Sequence, residues 1–276
     1  MAISLLGSPN KVYNRPSPRH REESRRKPVT IGIGIKCTDG IVLSADTLIT
    51  VPGYHKYYQP KISTIDFPPS PAHALFTFAG DPELMKTFKD KFIDAIHRSD
   101  FVLSVLAVKD TTEDILQEME QTILNSLDRG TGGLQMLCAS CVEGCRSLLR
   151  TKESSVHEVD FYDYVGAGDS SLIRYLTDLF LTQPVSIEIG SLIASYFVSK
   201  AKEFVDGCGG DTDLAQLMTD GKTHVYSGGF RGSRLIITEF HLKQFMRAIL
   251  TPGKSEKDRN QVFENLSTSL RNLLNP

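Results

Sequence analysis

The chain has 276 residues, with 31 Lys and Arg against 33 Asp and Glu, so its formal net charge is −2. That balance, with 40% hydrophobic and 23% charged residues, matches ordinary soluble globular proteins and excludes a surface built wholly to grip nucleic acid or anionic lipid. Five irregularly spaced cysteines do not form a disulfide framework, no apolar run approaches the ~20 residues that cross a bilayer, and residues 3–6 are too short an apolar run for a secretory signal.

A cytoplasmic protein with no nucleic-acid and no membrane partner is therefore expected. Between Arg15 and Lys27 lie seven basic residues, His20 included, with two glutamates and nothing apolar. Such a stretch buries too little surface to offset its ordering entropy. Residues 1–29 read as a basic, disordered leader or pro-segment, and residues 30–276 as a single domain. From there Ile31, Ile33 and Ile35 alternate with Gly32, Gly34 and Lys36, the period of a strand. Thr38-Asp39-Gly40 predicts a tight turn and residues 41–46 the returning strand.

After a loop rich in Pro, Gly and Tyr, residues 61–65 and 73–79 read as two short strands. Leu84, Phe88, Phe92 and Ile96 recur every four residues, as do Ile115, Met119, Ile123 and Leu127 after a break, which predicts two amphipathic helices. Residues 128–133 read as a loop. Strands are predicted over 134–141, 147–150, 156–160 and 162–167, then helices over 170–181 and 186–204. Strands over 223–227 and 234–240 follow, and Val262, Leu266, Leu270 and Leu273 mark a C-terminal helix capped near Ser255. This alternation of strand groups and helix pairs describes an α+β domain of two sheets with helices outside them.

Several familiar signals fail. Gly32-Ile33-Gly34 leads into a strand and has Cys37 where a dinucleotide fingerprint has its third glycine. Gly166-Ala167-Gly168 precedes a helix, but Ser171 stands in the third position. The histidines show no zinc-helix spacing, and Cys138 and Cys141, three apart on a strand, point to opposite faces as core residues do. There is no G-x-S-x-G elbow.

What remains is Thr30, Asp46 sixteen residues on, and Lys61 fifteen beyond that. Singly these are a strand residue, a strand end and a surface charge. Together, the stretch from Thr30 through Asp39-Gly40 to Ala45-Asp46 resembles the opening of mature proteasome β-type subunits. The resemblance continues through Lys61-Ile62, Phe78-Ala79-Gly80-Asp81 and, more thinly, Val165-Gly166-Ala167-Gly168, which is similar to the family's Gly-Ser-Gly turn. It reaches from Thr30 to about Phe240 and implies a four-layer αββα sandwich, the N-terminal-nucleophile hydrolase fold.

The resemblance also implies chemistry. A threonine hydroxyl attacks the scissile carbonyl while its own free α-amine, of pKa about 8, takes the proton. A lysine ammonium lowers the nucleophile's pKa, an aspartate holds the lysine, and a glycine N–H stabilises the oxyanion. Carried over by position, Thr30 is the nucleophile, Lys61 the charge partner, Asp46 its orienter and Gly80 the oxyanion donor. Asp206 matches the aspartate of the family's Asp-x-x-Ser segment. Ile49 and Phe78 would lie near the first specificity pocket and suggest an apolar preference.

Three departures stand out. Family members free their threonine by cleavage after glycine, but Val29 precedes Thr30 here, and its β-branch crowds the carbonyl to be attacked. While the leader stays attached, the nitrogen of Thr30 is an amide and cannot act as base. Ala167 and Gly209 stand where the family has serines that position the amine. Three readings follow: a threonine peptidase activated by removal of residues 1–29, a catalytically silent proteasome-like subunit, and an N-terminal-nucleophile amidase acting on a small amide. The peptidase reading implies a peptide or protein substrate and a homo-oligomeric ring, needs no cofactor and no metal, and leaves any ATP-dependent unfoldase open.

Overall fold

The computed structural model describes residues 30–50, 56–67, 72–98, 104–125, 134–166, 170–227, 241, 243–244, 247 and 255–274. The expected leader 1–29, the loop 128–133 and the strand 234–240 lie outside the described residues, as do Leu127 and Ala167.

In chain order the strands are β1 (Ile31–Lys36), β2 (Gly40–Asp46), β3 (Leu48–Thr50), β4 (Lys56–Tyr58), β5 (Ile62–Phe67) and β6 (Ala72–Ala79). Helices α1 (Pro82–Ile96) and α2 (Val105–Asn125) follow. Next come β7 (Gln135–Val142), β8 (Cys145–Lys152), β9 (Ser155–Val159) and β10 (Tyr162–Gly166), then α3 (Ser170–Phe180) and α4 (Ile187–Phe204). Strands β11 (Thr212–Met218) and β12 (Thr223–Tyr226) precede α5 (Glu256–Leu274). Among the described residues, the strands form one sheet in the order β10-β1-β2-β11-β12, a second in the order β5-β6-β7-β8-β9, and the small pair β3-β4.

The isoleucine alternation becomes β1, whose partner β2 returns through the predicted turn, closed by the Cys37 N–H donating to the Gly40 carbonyl at 2.8 Å. Ile31, Ile33 and Ile35 pack under α3 and α4 with Ile173, Ile187 and Phe197. Alternate residues of β2, among them Ile41, Leu43 and Ala45, face the second sheet and meet Leu75, Ala79, Leu137 and Leu148. The sheets approach closely at Gly32, where a Cβ would lie 2.9 Å from Thr77 Oγ1 and 3.0 Å from Val165 Cγ2. The other face of the second sheet packs on α1 and α2: Phe76 stacks edge-on against Phe88 and Phe92, all fully buried. Burying each such ring stabilises the fold by roughly 2–3 kcal/mol.

Helix α1 starts where Asp81 accepts from the Glu83 N–H at 2.8 Å, with Pro82 at the first helical position. Helix α2 begins at Val105, ten residues before Ile115, because Val108 and Thr112 extend its buried face. Thr112 donates to the Val108 carbonyl at 2.7 Å, which satisfies its hydroxyl there. Cys138 lies in the core under α1 and α2, and Cys141 in the layer between the sheets, on opposite faces as the spacing predicts. The C-terminal helix packs on its own chain, Leu266 meeting Leu192, Phe180 and Tyr196.

Among the described residues, three strands have no counterpart in the sequence reading, and one of them lies in a main sheet. β11 joins β2 along its whole length, from Thr212 opposite Asp46 to Met218 opposite Gly40, and so lies inside the sheet. Residues 212–217 are all buried, so Thr212, Asp213 and Gln216 occupy interior positions and no apolar–polar alternation marks the segment. The short pair β3-β4 also falls in what reads as loop.

Candidate functional site

The site is assembled at the ends of β1 and β2 and the entry to β5. Thr30 precedes β1, Asp46 is the last residue of β2, and Lys61 is the residue before β5. Thr30 is 5% exposed, and Asp46 and Lys61 are fully buried. The sequence reading of Lys61 as a surface charge, had it stood alone, is therefore wrong: its ammonium is interior.

Three of these atoms meet. Thr30 Oγ1 donates to Asp46 Oδ1 at 2.6 Å, and the Lys61 ammonium lies 2.7 Å from the same oxygen. Lys61 Nζ also contacts Thr30 Oγ1 directly and donates to the Leu48 carbonyl at 2.6 Å. Asp46 accepts further from the Ile31 N–H at 3.0 Å and, on Oδ2, from the Gly209 N–H at 3.0 Å. Four donors on one buried carboxylate provide the hydrogen bonding that such a charge requires. Burial lowers the Lys61 pKa below the ordinary lysine value, and the charge of Asp46 works against that shift.

The segment after α4 seals the other side. Leu48 N–H donates to the Gly209 carbonyl at 3.1 Å, and Asp211 N–H donates to Thr47 Oγ1 at 2.8 Å. Cys208 is buried here, and burial, reinforced by Asp46, pushes its thiol up to about 12. Lys202 on α4 donates to the Gly210 carbonyl at 3.0 Å and to Thr212 Oγ1 at 2.7 Å, with its own pKa lowered by burial against the charges of Asp46, Asp211 and Asp213.

Gly166 crowds the nucleophile. Its φ is +106°, and a Cβ there would fall 1.9 Å from the Thr30 carbonyl oxygen and 3.3 Å from the Ala79 Cβ. Only glycine fits that approach. Such a Cβ would meet Thr30 and Ala79 together, so Gly166 leaves the room in which Thr30 approaches the residue before Gly80. Gly80 is half-buried between β6 and the cap of α1.

Two other expected residues lie elsewhere. Asp206 is exposed after the end of α4, and the site's carboxylate contacts come from Asp46 and, at the Lys61 backbone, Asp213. The pattern match kept the aspartate of the segment, but the turn at Gly207 and Cys208 directs Gly209, not Asp206, to the site. Phe78 is 3% exposed in the core beneath α1 and α2, since on β6 its neighbours Thr77 and Ala79 take the inward face. Ile49 is buried on β3, next to the Leu48 carbonyl that receives Lys61.

The contributors missed in sequence are the Gly209 N–H, the Leu48 carbonyl and Asp213. Backbone groups carry no residue signature. Asp213 would have been visible only had 212–218 been recognised as a strand, where it shares the inward parity of Ala215 and Leu217. A charged groove of about 630 Å³ lies between α1 and α2, lined by Lys91, Asp94, Arg98, Asp110, Asp114 and Glu118, and none of the site residues borders it. Among the described residues, no group of three or more His, Cys, Asp or Glu is placed to hold a metal ion, and no helix is long and apolar enough to cross a membrane.

No family model matches the chain, and no curated protein matches it. Solved structures do. Anbu from Yersinia bercovieri, described as an ancestral beta-subunit, aligns with a TM-score of 0.68 at 10% identity over 82% of this chain and 100% of that one. The helical assembly of the Anbu complex from Pseudomonas aeruginosa aligns at 0.64 and 14% identity, over 82% and 100%. A Gly-1 mutant of Anbu from Hyphomicrobium sp. strain MC1 aligns at 0.64 and 11%, over 79% and 96%. The chain thus shares a mixed α+β fold with these proteins.

Proposed function

We propose that the chain is a proteasome-like threonine peptidase subunit in which Thr30, freed by removal of residues 1–29, is the nucleophile. The observation that carries this reading is the buried contact of Thr30 Oγ1 with both Asp46 and the Lys61 ammonium. A structural role alone gives no reason to bury a lysine against a threonine hydroxyl. In this reading Thr30 Oγ1 bonds to the scissile carbonyl carbon, and its proton passes to the α-amine of Thr30. The Lys61 charge favours the developing alkoxide, Asp46 holds Lys61, and the Gly80 N–H receives the oxyanion. The scissile C–N bond then breaks, the substrate's amine departs with the proton held by the Thr30 α-amine, and water hydrolyses the acyl ester to free the Thr30 hydroxyl.

The four-layer sandwich belongs to the same reading. It is supported by α3 and α4 packing on one sheet, α1 and α2 on the other, and an apolar layer between the sheets. The homo-oligomer is supported by likeness to an Anbu complex described as a helical assembly. A ring is the closed form of the head-to-tail contact that builds a helix when it does not close.

A catalytically silent subunit is the second reading. It is favoured by Val29 before Thr30 and by Gly209, which offers Asp46 a backbone N–H but no hydroxyl for a threonine amine. Peptide hydrolysis separates the two. The full-length chain should be inactive, because the Thr30 nitrogen is then an amide. A form beginning at Thr30 should hydrolyse a fluorogenic peptide with an apolar residue before the cleaved bond, slowly for lack of the two serines. Rates equal to those of its Thr30→Ala control would sink the peptidase reading in favour of the silent subunit.

A further inference from the structure

β11 pairs with β2 in a register that sets Asp213 opposite Ala45. Along β11, Leu214 lies in the core beneath α3 and α4, whereas Ala215 and Leu217 lie between the sheets with Ala45. Asp213 shares the parity of Ala215 and therefore points into the layer between the sheets. It is fully buried. Its Oδ2 accepts from the backbone N–H of Lys61 at 3.2 Å, and its own carbonyl accepts from Ser44 Oγ at 2.9 Å. One carboxylate thus ties the first sheet to the entry of β5 in the second, at the residue whose side chain reaches Thr30 and Asp46.

We propose that Asp213 is a positioning residue for Lys61, fixing its backbone and adding a second negative charge to the buried surroundings of its ammonium. The inference rests on the reading of Thr30, Asp46 and Lys61 as a nucleophilic site and adds a member outside the resemblance's residues. The groups facing Lys61 are Asp46 from β2, Asp213 from β11 and Cys208 after α4, with Lys202 on α4 sharing the same acids. A carboxylate in this layer loses its hydration and regains it only through such donors and cations. An asparagine would serve the Lys61 N–H equally well. What the asparagine lacks is the negative charge, which acts on the ammonium of the residue whose backbone the carboxylate holds.

The test uses the full chain with 13C-labelled lysine, the Lys61 Cε signal being identified by its loss in Lys61→Arg. Asp213→Asn keeps an acceptor and removes the charge, so the pH midpoint of Lys61 should fall by about one unit, a roughly tenfold more acidic ammonium. Asp211→Asn, an exposed acid of the same segment, is the control and should leave that midpoint unchanged. An unchanged midpoint in a folded Asp213→Asn chain would overturn the proposal. Should that variant not fold, an experimental structure of the wild-type chain decides: an Asp213 carboxylate beyond hydrogen-bond reach of the Lys61 nitrogen overturns it, and one within reach upholds it. Absence of peptidase activity in the form beginning at Thr30 would count against the peptidase reading alone and leave the Lys61 titration to stand by itself.

Discussion

Asp46 and Lys61 form a buried pair whose two members are not equally replaceable. Without Lys61, Asp46 keeps the Thr30 hydroxyl and the Ile31 and Gly209 N–H groups. Without the Asp46 charge, Lys61 keeps an ammonium in the interior with a hydroxyl, a carbonyl and the more distant charge of Asp213, which touches its backbone rather than its Nζ. Asp46→Asn should therefore lose about 3–5 kcal/mol, the usual cost of stranding a buried charge, and Lys61→Met clearly less. Urea unfolding of both variants checks the order, and a larger loss for Lys61→Met would refute it. Lys61 also sets a pH dependence. Its folded pKa is lowered by burial, so between that value and the unfolded lysine value of about 10.4 the unfolded chain binds more protons, and stability rises with pH across that window. The buried thiols of Cys37, Cys138 and Cys208, all pushed up by burial, act oppositely as the unfolded thiols ionise. The difference in urea midpoint between wild type and Lys61→Met isolates the lysine and should move in favour of wild type as pH rises from 7 to 10. At this scale the clustering of Thr30, Asp46 and Lys61 was legible because each is a distinctive side chain at a matched spacing. Asp206 misled because a pattern match cannot tell which way a glycine turn directs its neighbours.

At the scale of elements, the helix that follows Gly80 depends on one cap. Asp81 accepts from the Glu83 N–H and so starts α1 directly after the proposed oxyanion donor. Asp81→Ala should cost about 1 kcal/mol in urea unfolding, the typical loss of an N-cap. Asp81→Asn, which keeps an acceptor, should cost less, and equal losses would mean that the cap bond contributes nothing. Elements whose two faces differ in residue type were readable in the sequence. The four-residue spacing of α1 separates a core face from a solvent face, and the isoleucine alternation of β1 separates its helix-covered face from the glycines that let the second sheet approach. β11 was not readable, because its Thr, Asp and Gln are buried among its apolar residues and are polar for reasons of local bonding, which erases any alternation. The early start of α2 escaped for a related reason, since Thr112 is buried yet satisfied by the helix's own carbonyl and so reads as a surface residue.

For the whole molecule, the outward helices carry large apolar side chains in contact with solvent: Leu106 on α2, Tyr175 on α3, Ile189 and Phe204 on α4 and Phe263 on α5. Scattered apolar residues are ordinary on a monomer's surface. Five on the outward helices fit the contacts between copies that the proposed homo-oligomer requires. The chain should therefore sediment at micromolar concentration as a species well above the 30.6 kDa of one copy. The contact need not close on itself. A head-to-tail interface gives a discrete ring when its rotation divides the circle and an open helix when it does not. The two outcomes differ in concentration dependence: a ring holds one mass over a hundredfold dilution, whereas a helix shortens continuously. Tyr175→Arg and Phe204→Glu place charge on two of the most exposed positions without touching the Thr30 site, so each should shift sedimentation towards the single copy while leaving the urea midpoint of that copy within about 0.5 kcal/mol. Sedimentation of the wild-type chain as a monomer would remove the proposed homo-oligomer.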